Sequence, residues 1–170
     1  MRLALLLACL PALAFAHDGP HGCGPQGTAI LGDARTIPVE VPTLLYFGFT
    51  SCDDECPTDV SRNHAAVALA RAGGHPAAAI FVSVDPAEGQ AAVDAFAENW
   101  PGTEARTWDA GLARALYATA TASGDEDQPW LHTRTTYVVR PGVGVVALAA
   151  SAAAPEEITA QLACAARPPA

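Results

Sequence analysis

Leu44-Leu45-Tyr46-Phe47-Gly48-Phe49, running straight into Thr50-Ser51-Cys52-Asp53-Asp54-Glu55-Cys56-Pro57, is the stretch around which the chain is organised. Its apolar, aromatic first half is too short for a typical helix and reads as a fully buried strand. A small polar turn follows, and Pro57 marks the first turn of a helix, where a missing N–H costs nothing. Two cysteines therefore sit four residues apart at a strand-to-helix corner. Helical spacing of i and i+4 puts both sulfurs on one face.

Free backbone N–H groups and the positive end of the dipole at a helix start favour the thiolate form of such cysteines. Asp53, Asp54 and Glu55 lie between them; three carboxylates oppose further negative charge and attract a cation. That setting suits a soft metal at least as well as disulfide exchange, which works best in electropositive surroundings. The C-x3-C spacing also departs from the C-x-x-C of a dithiol oxidoreductase. The competing reading is a structural disulfide, a common use of cysteine in exported proteins.

The 170 residues make one domain with enough length for a real core, and at 51% hydrophobic and 16% charged the chain is globular rather than disordered. Nine basic residues against 18 acidic ones give a formal charge of -9. This argues against nucleic acid and anionic membranes as partners. Met1-Arg2, the apolar run Leu3 to Leu10, Pro11 and Ala14-Phe15-Ala16 read as a secretory signal with an A-x-A cleavage site, residues 1–16. The run is too short to span a bilayer, so no stable membrane anchor is expected and the mature protein is expected to be soluble and periplasmic. Cys9 as a lipoprotein acceptor is disfavoured by the brief apolar core before it. Loss of Arg2 with the leader leaves 8 basic against 18 acidic residues, a charge of -10.

Residues 17–27 read as a flexible segment before the domain at 28–170. His17, His21 and Cys23 within it form a possible metal-catching cluster, although a simple tail whose Cys23 pairs with Cys164 needs no coordination geometry. Thr28 to Leu31 and Ile37 to Val41 look like a hairpin turned at Gly32-Asp33. Beyond the cysteine corner the pattern gives a helix from Thr58 to Ala72, stopped by Gly73-Gly74, and a buried strand from Ala77 to Val84. A helix from about Ala87 to Asn99 follows, then another N-capped by Asp109 and running through Leu112, Leu116 and Tyr117. Thr133 to Val139 and Val143 to Leu148 form a hairpin about Pro141-Gly142, and Pro155-Glu156-Glu157 opens a last helix to Cys164. The order strand, helix, strand, helix, helix, hairpin, helix is an α/β arrangement with a mixed central sheet flanked by helices, as in thioredoxin-like domains.

Two thiols are rarely a complete metal site. Among the histidines, His64, His75 and His132 are candidates for a third ligand, and spacing does not choose among them. The blocks Tyr46 to Pro57, Phe81-Val82-Ser83-Val84-Asp85-Pro86, and His132-Thr133 before Tyr137-Val138-Val139 resemble, in order and separation, the Sco (SenC) family of copper-binding proteins. The resemblance implies a thioredoxin-like fold and one copper ion, Cu(I) or Cu(II), held by Cys52, Cys56 and His132. It implies a metallochaperone, with a copper-accepting partner such as a cytochrome c oxidase subunit; a thiol–disulfide oxidoreductase acting through Cys52 and Cys56 is the alternative. The chain departs from the family pattern at Asp53, where proline commonly follows the first cysteine, and at Leu131, where aspartate often precedes the histidine. A carboxylate behind the imidazole is then either missing or supplied from elsewhere, with Asp125 and Asp127 the residues that could take that place. A cleavable signal stands where the family usually has a membrane anchor.

Overall fold

The computed structural model describes residues 37–53, 55–125 and 129–167. The segments 1–16 and 17–27, the turn at Gly32-Asp33, Asp54 and Asp127 lie outside them. β1 (Thr43–Gly48) is buried at every residue and occupies the middle of a five-stranded sheet. It runs parallel to β2 (Ala78–Ser83) and antiparallel to β6 (Thr135–Arg140), with Leu45 opposite Ile80 on one side and Tyr137 on the other. β3 (Thr103–Arg106) and β7 (Gly144–Ala150) form the two edges, giving the order β3-β2-β1-β6-β7. A strand covered on both faces has no solvent side to mark with polar residues, hence the unbroken apolar run.

Alternation along β1 sorts the core into two sides. Leu45 and Phe47 pack with Ile80, Val82, Tyr137 and Val139 beneath the short helix α3 (Ala110–Ala115) and its Leu116 cap. Leu44 packs with Ala66 and Val67 of α1 (Glu55–Ala72) and Ile158 and Leu162 of α4 (Pro155–Ala165). Tyr46 shares that side with Val60 of α1 and Val93 of α2 (Gln90–Ala97). The hairpin β6–β7 turns at Gly142, whose φ of 70° is the left-handed region that glycine enters without penalty. The mixed α/β layering agrees with the expectation from sequence.

Several details differ. β3 has the sequence Thr-Glu-Ala-Arg, with no apolar run to betray it; it is read only by its parallel ladder to β2. A second, two-stranded sheet of β4 (Ala120–Ala122) and β5 (Trp130–His132) was also not expected, since three residues carry no periodicity. Ile37 to Val41 is not a strand, although Ile37 is buried in the core; its expected partner, Thr28 to Leu31, lies outside the described residues. The helix expected from Ala87 starts at Gln90, because Asp85 folds the preceding residues into a turn, accepting from the Ala87 N–H at 2.8 Å. α1 starts at Glu55, before Pro57, so Cys56 is helical and Cys52 is not. Asp109 is the N-cap expected of it, its carboxylate accepting from the Gly111 and Leu112 N–H groups. Cys164 is disulfide-bonded; Cys23, its expected partner, lies outside the described residues.

Candidate metal centre

The corner after β1 is held by side chains far away in sequence. Thr50 donates its N–H and its hydroxyl to Glu88 Oε1 at 2.8 and 2.6 Å, and Ser83 at the end of β2 donates to Glu88 Oε2 at 2.6 Å. That carboxylate fixes the turn leading into Cys52. Cys52 precedes the helix, and its sulfur accepts the Cys56 N–H at 3.2 Å, the role an oxygen usually plays at an N-cap. Cys56 is fully buried behind it, and both cysteines are free thiols. Gly48 makes the room: a Cβ there would lie 2.8 Å from the Phe81 ring and 3.3 Å from Cys56 Sγ.

The electrostatics overturn one expectation. Burial pushes the Cys56 thiol well above its ordinary range, reinforced by the neighbouring Cys52 and opposed only partly by the Phe49 backbone and the Tyr46 hydroxyl. Desolvation of the charged form outweighs the helix start, so Cys56 keeps its proton. Of the intervening carboxylates, Glu55 is neutralised by Arg134 Nη1 at 2.6 Å, while Asp53 is exposed.

The ring that reaches the thiols is His132, and not His64 on α1 or His75 in the turn after it. His132 ends β5, paired with Ala120. Its Nε2 stands 3.6 Å from Cys56 Sγ, and its Nδ1 3.1 Å from the Thr133 carbonyl. A carbonyl only accepts, so Nδ1 carries the hydrogen and the Nε2 lone pair faces the thiol. Burial lowers the His132 pKa, keeping the ring neutral. The rings of Tyr46 and Phe49 meet it edge-on at 6.1 and 5.8 Å. The partner of Nδ1 is thus the Thr133 carbonyl; Asp127, one of the two carboxylates considered for that place, lies outside the described residues. An open cleft of about 130 Å³ between Phe49, Cys52, Trp130, His132 and Arg134 leads from the site to solvent.

Sequence reasoning missed the ionic network beside this pair. Asp59 is 2% exposed and accepts from the Tyr46 hydroxyl at 2.9 Å, from Arg62 Nη1 at 2.5 Å and from Arg134 Nη2 at 3.2 Å. Asp59 lies one turn beyond Cys56 and Arg134 two residues beyond His132. That spacing was a signal, but a helical aspartate is usually solvated and nothing local marks it as buried.

A family model described as SCO1/SenC matches residues 38–167, most of the chain. The chain belongs to the SCO1/SenC family. It is 31% identical over 131 residues to Protein SenC of Rhodobacter capsulatus, an alignment covering 72% of this chain and 59% of that relative's length. Among solved SCO1/SenC structures, ScoI of Bradyrhizobium japonicum with copper bound is 28% identical, with a TM-score of 0.58, covering 72% of this chain and 83% of that one. BsSco, described as a member of the Sco family of cytochrome c oxidase assembly proteins, has a TM-score of 0.57 over 74% of this chain and 80% of its own; at 18% identity it speaks for the fold alone. The shared SCO1/SenC architecture is the thioredoxin-like one. Among the described residues no helix is long and apolar enough to cross a membrane.

Proposed function

We propose that this chain is a copper metallochaperone: Cys52, Cys56 and His132 hold one copper ion and pass it to a copper-accepting protein, such as a cytochrome c oxidase subunit, while a copper site is assembled. The observation that carries this reading is the approach of His132 Nε2 to Cys56 Sγ, 3.6 Å apart across 76 residues, with the free thiol of Cys52 beside them. With bonds as long as those of zinc, about 2.3 Å to sulfur and 2.0 Å to nitrogen, a tetrahedral angle leaves two donors roughly 3.5 Å apart, close to the separation here. Among the described residues no three His, Cys, Asp or Glu side chains are already gathered as a metal cluster. The outstanding donor is Cys52, whose sulfur is engaged by the Cys56 N–H, so recruiting it costs one hydrogen bond to sulfur.

Soft thiolates suit Cu(I), and an added imidazole accommodates Cu(II). With Cys52 and His132 lining the cleft and Cys56 behind them, three ligands leave the ion within reach of incoming ligands, which a closed four-ligand cage prevents. The copper-bound relative and the family's connection with oxidase assembly support the same reading. Export to the periplasm through the 1–16 leader, ahead of the 17–27 segment and the 28–170 domain, belongs to it as well. A thiol–disulfide oxidoreductase is the weaker alternative, because the C-x3-C spacing departs from the C-x-x-C of a dithiol oxidoreductase.

Chelator competition on the purified protein tests the proposal. One copper per chain is expected, with Cys52→Ser and Cys56→Ser each removing tight binding and His132→Ala acting mainly on Cu(II). An unchanged Cu(II) absorption spectrum in His132→Ala refutes that ligand. Reduction of a partner disulfide by a variant that no longer retains copper favours the oxidoreductase.

A further inference from the structure

Beyond the three candidate ligands, the structure assigns a positioning role to Arg134: we propose that it clips the strand bearing His132 onto the helix bearing Cys56 and so sets how closely the imidazole approaches the thiols. The inference rests on the ligand set proposed above and adds the residue that assembles it.

The need for a clip follows from the topology. The two thiols stand at the junction of β1 and α1, inside the main fold. His132 stands in the separate β4–β5 sheet, whose strands have three residues each. The base of that hairpin is closed on itself, by Thr133 N–H to the Thr119 carbonyl at 3.0 Å and Thr119 N–H to Thr133 Oγ1 at 2.9 Å. Those bonds fix the hairpin's own shape. Trp130, Ala118 and Ala120 pack it on the core, and because apolar packing is non-directional the spacing of the imidazole from α1 is left to a directional polar contact.

Arg134 lies in the link between β5 and β6. It sends Nη1 to Glu55 Oε1 at 2.6 Å and Nη2 to Asp59 Oδ2 at 3.2 Å. Glu55 is adjacent to Cys56, and Asp59 is one turn further along the same helix. One guanidinium two residues past the imidazole therefore grips the helix on both sides of the thiol. Its planar fork reaches two carboxylates at once, which a lysine ammonium at the same place cannot reproduce. Exposed ion pairs contribute little to stability, but Asp59 is buried and also held by Arg62 and Tyr46. Loss of Arg134 thus leaves the buried charge still paired and the fold intact, while the hairpin loses its polar tie to α1.

The test is Arg134→Met, read in two states. In the metal-free protein, nitrogen NMR of His132 is expected to show one Nδ1–H tautomer in the parent and an exchanging mixture in the variant. On loading with Cu(II), chelator competition is expected to show affinity about 10–100-fold weaker, the range for residues that orient a ligand, with loss of the imidazole nitrogen coupling in pulsed EPR. In a His132→Ala background the same substitution should cost nothing more. An unchanged His132 resonance together with unchanged nitrogen coupling overturns the proposal, as does an equal loss of affinity without His132. Should Arg134→Met fail to fold, Glu55→Gln removes one tie at a half-exposed carboxylate and is expected to shift the same readouts in the same direction; no shift overturns the clip. A normal Cu(II) signature in His132→Ala refutes the ligand set instead, and the metal-free resonance then decides the role of Arg134 alone.

Discussion

Cys56 reaches the site from a helix whose first turns rest on the central sheet, whereas His132 reaches it from the end of a three-residue strand in a sheet of two. Behind the thiol stand Gly48, the Phe81 ring and Tyr46, all in the core. Beside the imidazole, Trp130 is half-buried and Leu131 is 59% exposed. The sulfur end inherits its position from cooperative packing, so displacing it means disturbing the core. The imidazole end sits on strands of only three residues. It is held by a few polar ties, by the packing of Trp130, Ala118 and Ala120 on the core and by the edge-on rings of Tyr46 and Phe49, and so is expected to open at lower cost than the sheet. If the chain carries and releases copper through these residues as proposed, this division places the yielding element at one ligand only.

The sharpest way to break this contrast is at Phe47, which is fully buried and meets the rings of Tyr137 and Trp108 edge-on at 5.8 and 6.5 Å. Phe47→Ala should cost about 3–5 kcal/mol in urea unfolding; a loss below about 1 kcal/mol would mean the cysteine corner is not anchored by the core. Gly48→Ala comes next. Its new methyl meets the Phe81 ring and Cys56 Sγ, so about 1–3 kcal/mol of overpacking is expected, accompanied by a changed alkylation rate at Cys56.

The two regions should also separate by pH. The folded state holds the Cys56 proton more tightly than the unfolded chain, whose thiol titrates near 9.0. The stability this contributes is full below that pH and falls as pH rises above it, by at most about 1.4 kcal/mol per pH unit. His132 runs the other way. Its pKa is lowered from 6.5 by burial, so its contribution is present above that value and lost as pH falls below it. Stability profiles of Cys56→Ser and His132→Gln should each flatten one limb, alkaline and acid respectively; a profile unchanged by both would remove the distinction. The smallest effect belongs to the hairpin surface, where Leu131→Ser should change stability by no more than about 0.5 kcal/mol. A larger loss would show that Leu131 adds to the packing that holds the arm on the core.

The apolar run of β1, the punctuation around α1 and the Pro155-Glu156-Glu157 opening of α4 were legible because each carries its own period or cap within a few residues. The same holds for the β6–β7 hairpin at Pro141-Gly142. β3, β4 and β5 were not legible, since strands of three or four residues exist only through a partner strand and leave no pattern of their own. At the site, residue types alone singled out Cys52 and Cys56 as a chemical pair, yet left three histidines equivalent until the family resemblance chose one.

Sequence by itself determined the layered α/β architecture, the buried strand and the presence of two thiols at its end, because these depend on local periodicity and on chemistry written into individual residues. Only the folded chain decided that Cys56 keeps its proton, that the Thr133 carbonyl supports the imidazole, and that Asp59 is buried among Tyr46, Arg62 and Arg134. It decided likewise that Arg140 is buried and donates to the Cys164 and Ala165 carbonyls at the end of α4. Burial and the sign of the surrounding charge are sums over neighbours remote in sequence, and no local pattern encodes such a sum.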